Sequence, residues 1–520
     1  MTETSLIGFS RGTDQGNQFQ AVNPSTGHNL SVQYAHASQE DVERACQLAE
    51  SASLKLASLS GKEKAKFLNL VADKIDSVVD HLVEIMSAET ALPELRVRGE
   101  AGRTSGQLRM FANLVEKGSW VDARIDRAEP DRKPIPKPDL RAMLHPVGPV
   151  VVFCASNFPL AFSVAGGDSA SAWAAGCPVI VKAHHAHPGT ALLIGKLIVD
   201  SAKELGLPEG IFSLLFGEGR TVGQWLVQNE VVKAVGFTGS RAGGRALFDI
   251  ASQRTSPIPV FAEMSSVNPI FLLPELRENN VVEIAENLFA SATLGVGQFC
   301  TNPGIVFFPD NSIGKRFVEK YHEKMKTFQP SCMLHKGIKD TYFQDLRKME
   351  GFSGVNSLLS AEPSENAEEC RVSTSVFQTD IESFLAEPGL SDEIFGPATL
   401  LVSYRDKSDL LKVASKLDGQ LTASVFGEES NLAVYEDFIE ILKTKAGRIL
   451  FNQFPTGVEV CESIVHGGPY PATTDSRSTS VGTGAILRFA RTVCYQGFPD
   501  EFLPDELKEQ NPLGISRQES

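Results

Sequence analysis

Up to about Gly118 the apolar positions recur three and four residues apart, the spacing of one buried helical face. Ser38 heads SQEDVERACQLAESA with Asp41 three residues on, a hydroxyl cap with acids in the first turn. KEKAKFLNLVADKIDSVVDHLVEIMSAET keeps the amphipathic period, and GEAGRTSGQLRMFANLVEKG adds another helix. The pattern then breaks at PDRKPIPKPDLRAMLHPVGP, where Pro130, Pro134, Pro136 and Pro138 exclude a central strand and predict an extended arm or edge strand. A flexible linker and a contact between subunits are both open readings of that arm. From Val150 short apolar runs alternate with helical stretches: VVVFCAS, SVAGGDSASAWAAG, PVIVKA, a helix from Gly189 to Leu205, IFSLLFGEG, VVKAVGFTGS and GGRALFDIAS. Such alternation predicts βαβ units on a parallel sheet. PVFAEMSSVNPIFLLP closes the series with two further strand candidates, and a second α/β pattern runs from Pro274 to about Asn452 before a glycine-rich tail. The fold class is α/β, with one unit from 1–129 and 149–273, a second from 274–465, and an arm and tail from 130–148 and 466–520.

At 520 residues the chain exceeds a single core. Its formal net charge of −15 argues against nucleic acid and against an anionic membrane surface as partners. Eight scattered cysteines, none in a CxxC pair, suit free thiols in a reducing compartment. The N-terminus shows neither an apolar signal core nor an Arg-rich transit pattern, and no run has the length of a membrane span. The expectation is a cytoplasmic protein.

Within GVGQFCTNPG, Cys300 stands between glycines and polar residues where a helix gives way to a loop, a setting in which a thiol can react. GFTGSRAGG follows a strand and opens a helix, so its amides and dipole suit a phosphate, although its spacing is not GxGxxG and a purely structural turn fits equally. Asn157 in SNFPL stands just beyond a buried strand, as an oxyanion donor or as a turn residue. Glu263 in AEMSS is a carboxylate in apolar surroundings, a base or a satisfied structural acid. KAHHAHPG carries His184, His185 and His187 without a nearby acid or cysteine, which reads as a loop of solvated histidines and not as a metal site.

Together SNFPL, VKA, GFTGS, AEM, GQFC and EIFGP resemble the aldehyde dehydrogenase superfamily, in its order and approximate spacing, from about Asn23 to Pro504. ETALPELRVRGE, NFPLAFSVAGGDSASAWAAGCPVIVKAHHAHPGT, FAEMSSVNPIFLLP and VHGGPYPATTDSRSTSVGT further resemble its 2-oxoglutarate-semialdehyde (2,5-dioxopentanoate) dehydrogenase branch, which is similar to NADP-preferring bacterial fatty-aldehyde dehydrogenases. The resemblance implies a Rossmann-like cofactor domain (1–129 and 149–273), a catalytic domain (274–465) and a β-arm for oligomerisation into a homodimer or a dimer of dimers. It implies Cys300 as nucleophile, Asn157 with the Cys300 amide as oxyanion site, and Glu263 as the base that hydrolyses a thioester. By the same resemblance Lys182 and Glu393 would bond the two riboses of the cofactor, Gly239 and Ser240 the pyrophosphate, and Phe395 would pack near the nicotinamide.

His466 in VHGGPY is a further catalytic candidate near the substrate mouth, with a backbone-bonded loop histidine as the other reading. Arg103 and Gln107 lie four apart on one helical face and, with Phe162, are candidates for the substrate entrance; a surface ion-pair face is the alternative. Many NAD-linked relatives carry Glu three residues after the ribose lysine; here that position is His185, and Arg220 follows IFSLLFGEG on the same side of the sheet. A guanidinium matches phosphate, so NADP is the expected cofactor and NAD the alternative. The expected reaction is oxidation of 2-oxoglutarate semialdehyde; a long-chain aliphatic aldehyde as substrate and a catalytically silent scaffold are the competing readings.

Overall fold

The computed structural model describes residues 2–364 and 366–520, with nothing to be said of the Asn279 side chain. Helix Gln39–Ala57 starts where Ser38 accepts the Asp41 amide and Asp41 returns a bond to the Ser38 amide. The long amphipathic run is two helices, Gly61–Ser77 and Val79–Thr90, interrupted at Val78, whose φ of −118° is not helical. Helix Glu94–Lys117 begins after Pro93 and ends at Gly118, where φ is 72°. These helices pack their apolar stripes, among them Leu68, Val71, Val97, Leu108 and Phe111, against Gly167–Ala175 and the first sheet.

That sheet orders its strands Val260–Glu263, Ala234–Thr238, Val150–Phe153, Val179–Lys182, Phe212–Leu215, Leu6–Ile7 and Ser10–Arg11. The first five are parallel, and the N-terminal pair adds an antiparallel edge. Successive strands run outward on one side of Val150–Phe153 and then on the other, so the order reverses there. A crevice opens at the carboxyl ends of strands beside such a reversal, and Asn157, Lys182, Gly239 and Glu263 all follow or end strands at that edge.

The second sheet has the order Asn356–Leu359, Ser375–Asp380, Ala398–Tyr404, Ile305–Pro309, Ile270–Leu272, Gln420–Phe426 and Ala446–Phe451, parallel except for its first strand. Ile270–Leu272 therefore belongs to the second unit, which corrects the boundary at residue 273: the chain crosses between Glu263 and Ile270. A separate four-stranded sheet joins Ala490–Gln496, Leu140–Pro146, Arg124–Asp126 and Gln518–Glu519. The proline-rich stretch projects from it as an exposed loop closed by a Glu129–Lys137 bridge. The tail is not one piece. Residues 466–480 return to the first sheet, where Met264 donates to the Ala472 carbonyl at 2.7 Å and Thr474 to the Ala262 carbonyl at 3.1 Å.

Candidate active site

Helix Glu278–Thr293 unwinds at Gly295 and Val296, both with left-handed φ, 57° and 60°. A β-branched residue rarely adopts that conformation, so the loop holds strain one turn before its cysteine. A Cβ on Gly297 would stand 2.3 Å from the Gly396 carbonyl; only glycine lets the cysteine loop touch the EIFGP loop so closely. Asn268, at φ 46°, is buried beneath. Its Nδ2 lies 2.9 Å from the carbonyls of Cys300 and of Asn302, while its Oδ1 accepts from Ser266 and Thr422. Sequence reasoning missed Asn268, although Asn before Pro269 in SSVNPI marks a turn whose side chain has no apolar use.

Three titratable groups converge there. His466 Nε2 lies 3.3 Å from Cys300 Sγ and 2.8 Å from Glu263 Oε1, and Ser480 Oγ donates to Glu263 Oε2 at 2.6 Å. Glu263 and His466 are almost wholly buried. Burial pushes the Glu263 carboxyl up, but the His466 charge and bonds from His466, Ser480 and Cys300 outweigh it and hold it below its ordinary range. The Cys300 thiol is pushed well above its ordinary value, first by burial and then by the neighbouring Glu263 and Glu393 carboxylates. Cys300 is thus held as a thiol beside the Glu263 and His466 pair. His466 reaches this position because the returning tail carries it there, its amide bonded to Thr479 Oγ1 at 2.9 Å.

Asn157 joins from the other unit: its Nδ2 donates one hydrogen to the Gln298 carbonyl at 3.1 Å, two residues before the cysteine. The second amide hydrogen remains for an oxyanion. The Asn157 loop is braced by Glu100, which accepts from the Leu160 and Ala161 amides and pairs with Arg96 at 2.9 Å. The Arg96 guanidinium stacks on Phe158 and Phe299, 4.4 and 4.6 Å from their centroids, and so clamps the asparagine loop to the cysteine loop.

A narrow cavity at the sulfur is lined by Arg103, Phe158, Phe162, Phe299, Val458 and His466. Arg103 donates Nη1 to the Val458 carbonyl at 2.9 Å, while its buried Nε and Nη2 have no hydrogen-bond partner among the described residues. The surface ion-pair reading of this face does not hold, since Arg103 meets no carboxylate among the described residues. Gln107 is corrected as well. One helical turn along, it is buried beside Gly167 and Ser480 and does not line the cavity.

At the end of the neighbouring strand, Lys182 is buried without an ion-pair partner among the described residues, and burial pulls its ammonium down to about 8. Glu393, with Phe395 beside Gly297, is pushed up to about 7 by burial, against bonds from Ser265 and Ser266. The Ser240 hydroxyl caps helix Arg241–Ser252 by accepting the Gly243 amide, and the Gly239 amide is taken by the Glu263 carbonyl. The Gly239 amide is therefore engaged, whereas the Ser240 hydroxyl keeps its own hydrogen to donate and the helix start remains open. Arg220 is exposed in a turn, Gly219–Gly223, that packs beside Val179–Lys182. Of the three loop histidines, His185 is exposed and His184 half-buried; the solvated reading is corrected at His187, which is wholly buried with Nε2 2.9 Å from the Ala155 carbonyl.

Comparison with known proteins agrees with this geometry. The aldehyde dehydrogenase family model matches residues 11–470. Alpha-ketoglutaric semialdehyde dehydrogenase 2 of Azospirillum brasilense is 46% identical over 518 residues, covering 99% of this chain and 98% of its own. The alpha-ketoglutaric semialdehyde dehydrogenase of Acinetobacter baylyi is 43% identical over 499 residues, 96% of this chain and 94% of its own. Among solved structures, aldehyde dehydrogenase C of Pseudomonas syringae, complexed with NAD+ and octanal, superposes with a TM-score of 0.81 at 19% identity, over 96% of this chain and 97% of that one. No helix among the described residues is long and apolar enough to cross a membrane. With the cysteine, carboxylate and asparagine assembled at the edge between two α/β sheets, this chain belongs to the aldehyde dehydrogenase family.

Proposed function

We propose that the protein oxidises 2-oxoglutarate semialdehyde to 2-oxoglutarate with a nicotinamide cofactor, NADP in preference to NAD. The observation that carries the substrate is Arg103: a buried guanidinium with two unpartnered nitrogens, in the cavity that holds the reactive sulfur. A buried cation without an anion is costly and is relieved by a ligand carboxylate. The aromatic walls suit the short carbon chain between that carboxylate and the aldehyde. The names of the relatives point the same way.

In this account the substrate carboxylate meets Arg103 and the aldehyde carbon meets Cys300 Sγ. The sulfur attacks as the Glu263 carboxylate, which His466 and Ser480 hold in place, takes the thiol proton and passes it to solvent; Asn157 Nδ2 and the Cys300 amide hold the oxyanion. A bound nicotinamide supplies a hydride acceptor, and the two-electron oxidation leaves a thioester on Cys300. Glu263 then takes a proton from water as the water adds to the thioester carbon. The C–S bond breaks, the acid leaves and the thiol is restored. Lys182, Glu393 and Phe395 are suited to hold the cofactor: a buried ammonium and a protonatable carboxyl would bond its ribose hydroxyls, and the aromatic ring would pack near the nicotinamide. The Arg220 guanidinium and His185 in place of a Glu support NADP, against the charge of the Glu218 carboxylate that reaches Lys182 and His185. The reading includes the cytoplasm as compartment, in keeping with eight free cysteines, and a homodimer or dimer of dimers.

Steady-state kinetics of the parent and Arg103→Leu test the substrate. Loss of a charged hydrogen bond should raise the semialdehyde KM by about 10- to 150-fold and leave an uncharged aliphatic aldehyde unaffected. An equal effect on both aldehydes, or none, would exclude Arg103 as the anchor. Equal kcat/KM with NADP and NAD in the parent would exclude the cofactor preference.

A further inference from the structure

We propose that His184, His185 and His335 form a binding site for a zinc-class divalent ion that bridges the two α/β units. His184 and His185 follow strand Val179–Lys182, whereas His335 caps helix Lys336–Glu350 of the second unit. One ring nitrogen from each lies within 4.8 Å of the others. The ring centroids are 4.4, 5.6 and 5.4 Å apart. Three imidazoles bound tetrahedrally at the zinc–nitrogen distance have centroids roughly 5 Å apart, so the rings already stand near ligating positions. His187 buttresses the cluster: it lies 5.4 Å from the His184 ring, and its own Nε2 is occupied by Ala155.

His184 and His335 are half-buried and His185 is exposed, so an ion can reach the three ring nitrogens from solvent. The Nδ1 atoms of His184 and His335 accept the Ala186 and Ile338 amides at 3.2 and 3.4 Å. Ligation through Nε2 shifts each ring proton to Nδ1 and gives up these two long local bonds. Neutral nitrogen ligands without a carboxylate select zinc, cobalt or nickel over magnesium and calcium, which require oxygen. The competition that follows rests on the cofactor reading above: His185 cannot ligate an ion and border the ribose at once, so ion and dinucleotide exclude one another.

The test uses the full-length Cys300→Ser protein, which removes the sulfur of the separate Cys300–Glu263–His466 group. Zinc titration should show a site whose K-edge absorption reads imidazole nitrogens at about 2.0–2.1 Å. Adding His335→Asn, which retains a good helix cap, should weaken that site at least tenfold with an unchanged melting temperature. If this variant fails to fold, His184→Gln in the same background serves instead. No zinc binding by Cys300→Ser, or equal binding by the histidine variants, would overturn the site. Zinc should also raise the NADP dissociation constant in Cys300→Ser but not in the double variant. Zinc bound with NADP undisturbed would uphold the site and count instead against the placement of the ribose at Lys182 and His185.

Discussion

The Cys300 sulfur is a weak nucleophile at rest, and that has a measurable consequence. Burial first, and then the Glu263 and Glu393 carboxylates, favour its protonated form. Alkylation by iodoacetamide should therefore be slow at neutral pH and accelerate only above about 8.5, the ordinary thiol value. Glu263→Gln removes a negative charge that raises the thiol, so its alkylation profile should move to lower pH; an unmoved profile would separate the carboxylate from the sulfur electrostatically. Cys300, Glu263 and Asn157 were legible in short motifs as candidates, because each is a chemically expressive residue in an unusual setting, and the resemblance to the family supplied their roles. His466 was legible only as a candidate, since its role depends on the tail folding back over 160 residues to within 3.3 Å of the sulfur. Gln107 misled because helical spacing places it on the face of Arg103 but says nothing of what covers its end of that face.

The elements that aim these side chains are loops braced by polar groups of other loops. Asn268 holds the Cys300 and Asn302 carbonyls together, so Asn268→Ala should leave both loop carbonyls unpaired and misplace the sulfur. A displacement near 1 Å in such a site costs about 100-fold in kcat; single-turnover rates should fall while cofactor affinity holds. Unchanged single-turnover rates would show that the loop keeps its shape without Asn268. Period and capping signals fixed most helices and strands: Ser38 and Asp41 cap as their spacing requires. Two boundaries escaped them. Val78 divides an unbroken amphipathic run, because a phase break in a buried stripe needs no glycine or proline. Ile270–Leu272 reads as one more apolar strand, and composition cannot tell which of two parallel sheets a strand joins.

At the scale of the molecule, the alternation of strand and helix made two α/β units legible, but the pairing of distant segments was not. Strand Ala490–Gln496 closes the arm sheet on one side with residues mostly exposed or half-buried. An open edge of that length invites strand pairing, and light scattering should give a dimer or a dimer of dimers; a monomer would assign the edge no such role. The two units meet at the sulfur: one supplies Asn157 and Glu263, the other Cys300, and the tail His466. The central claim is that this meeting point makes and then hydrolyses a thioester on Cys300. Rapid mixing of Glu263→Gln with 2-oxoglutarate semialdehyde and NADP tests it most directly. The account predicts a burst of one reduced cofactor per active site, an acyl adduct found by mass on Cys300, and then a stall because water is no longer activated. Continued turnover at the parental rate, or a burst without the adduct, would contradict it.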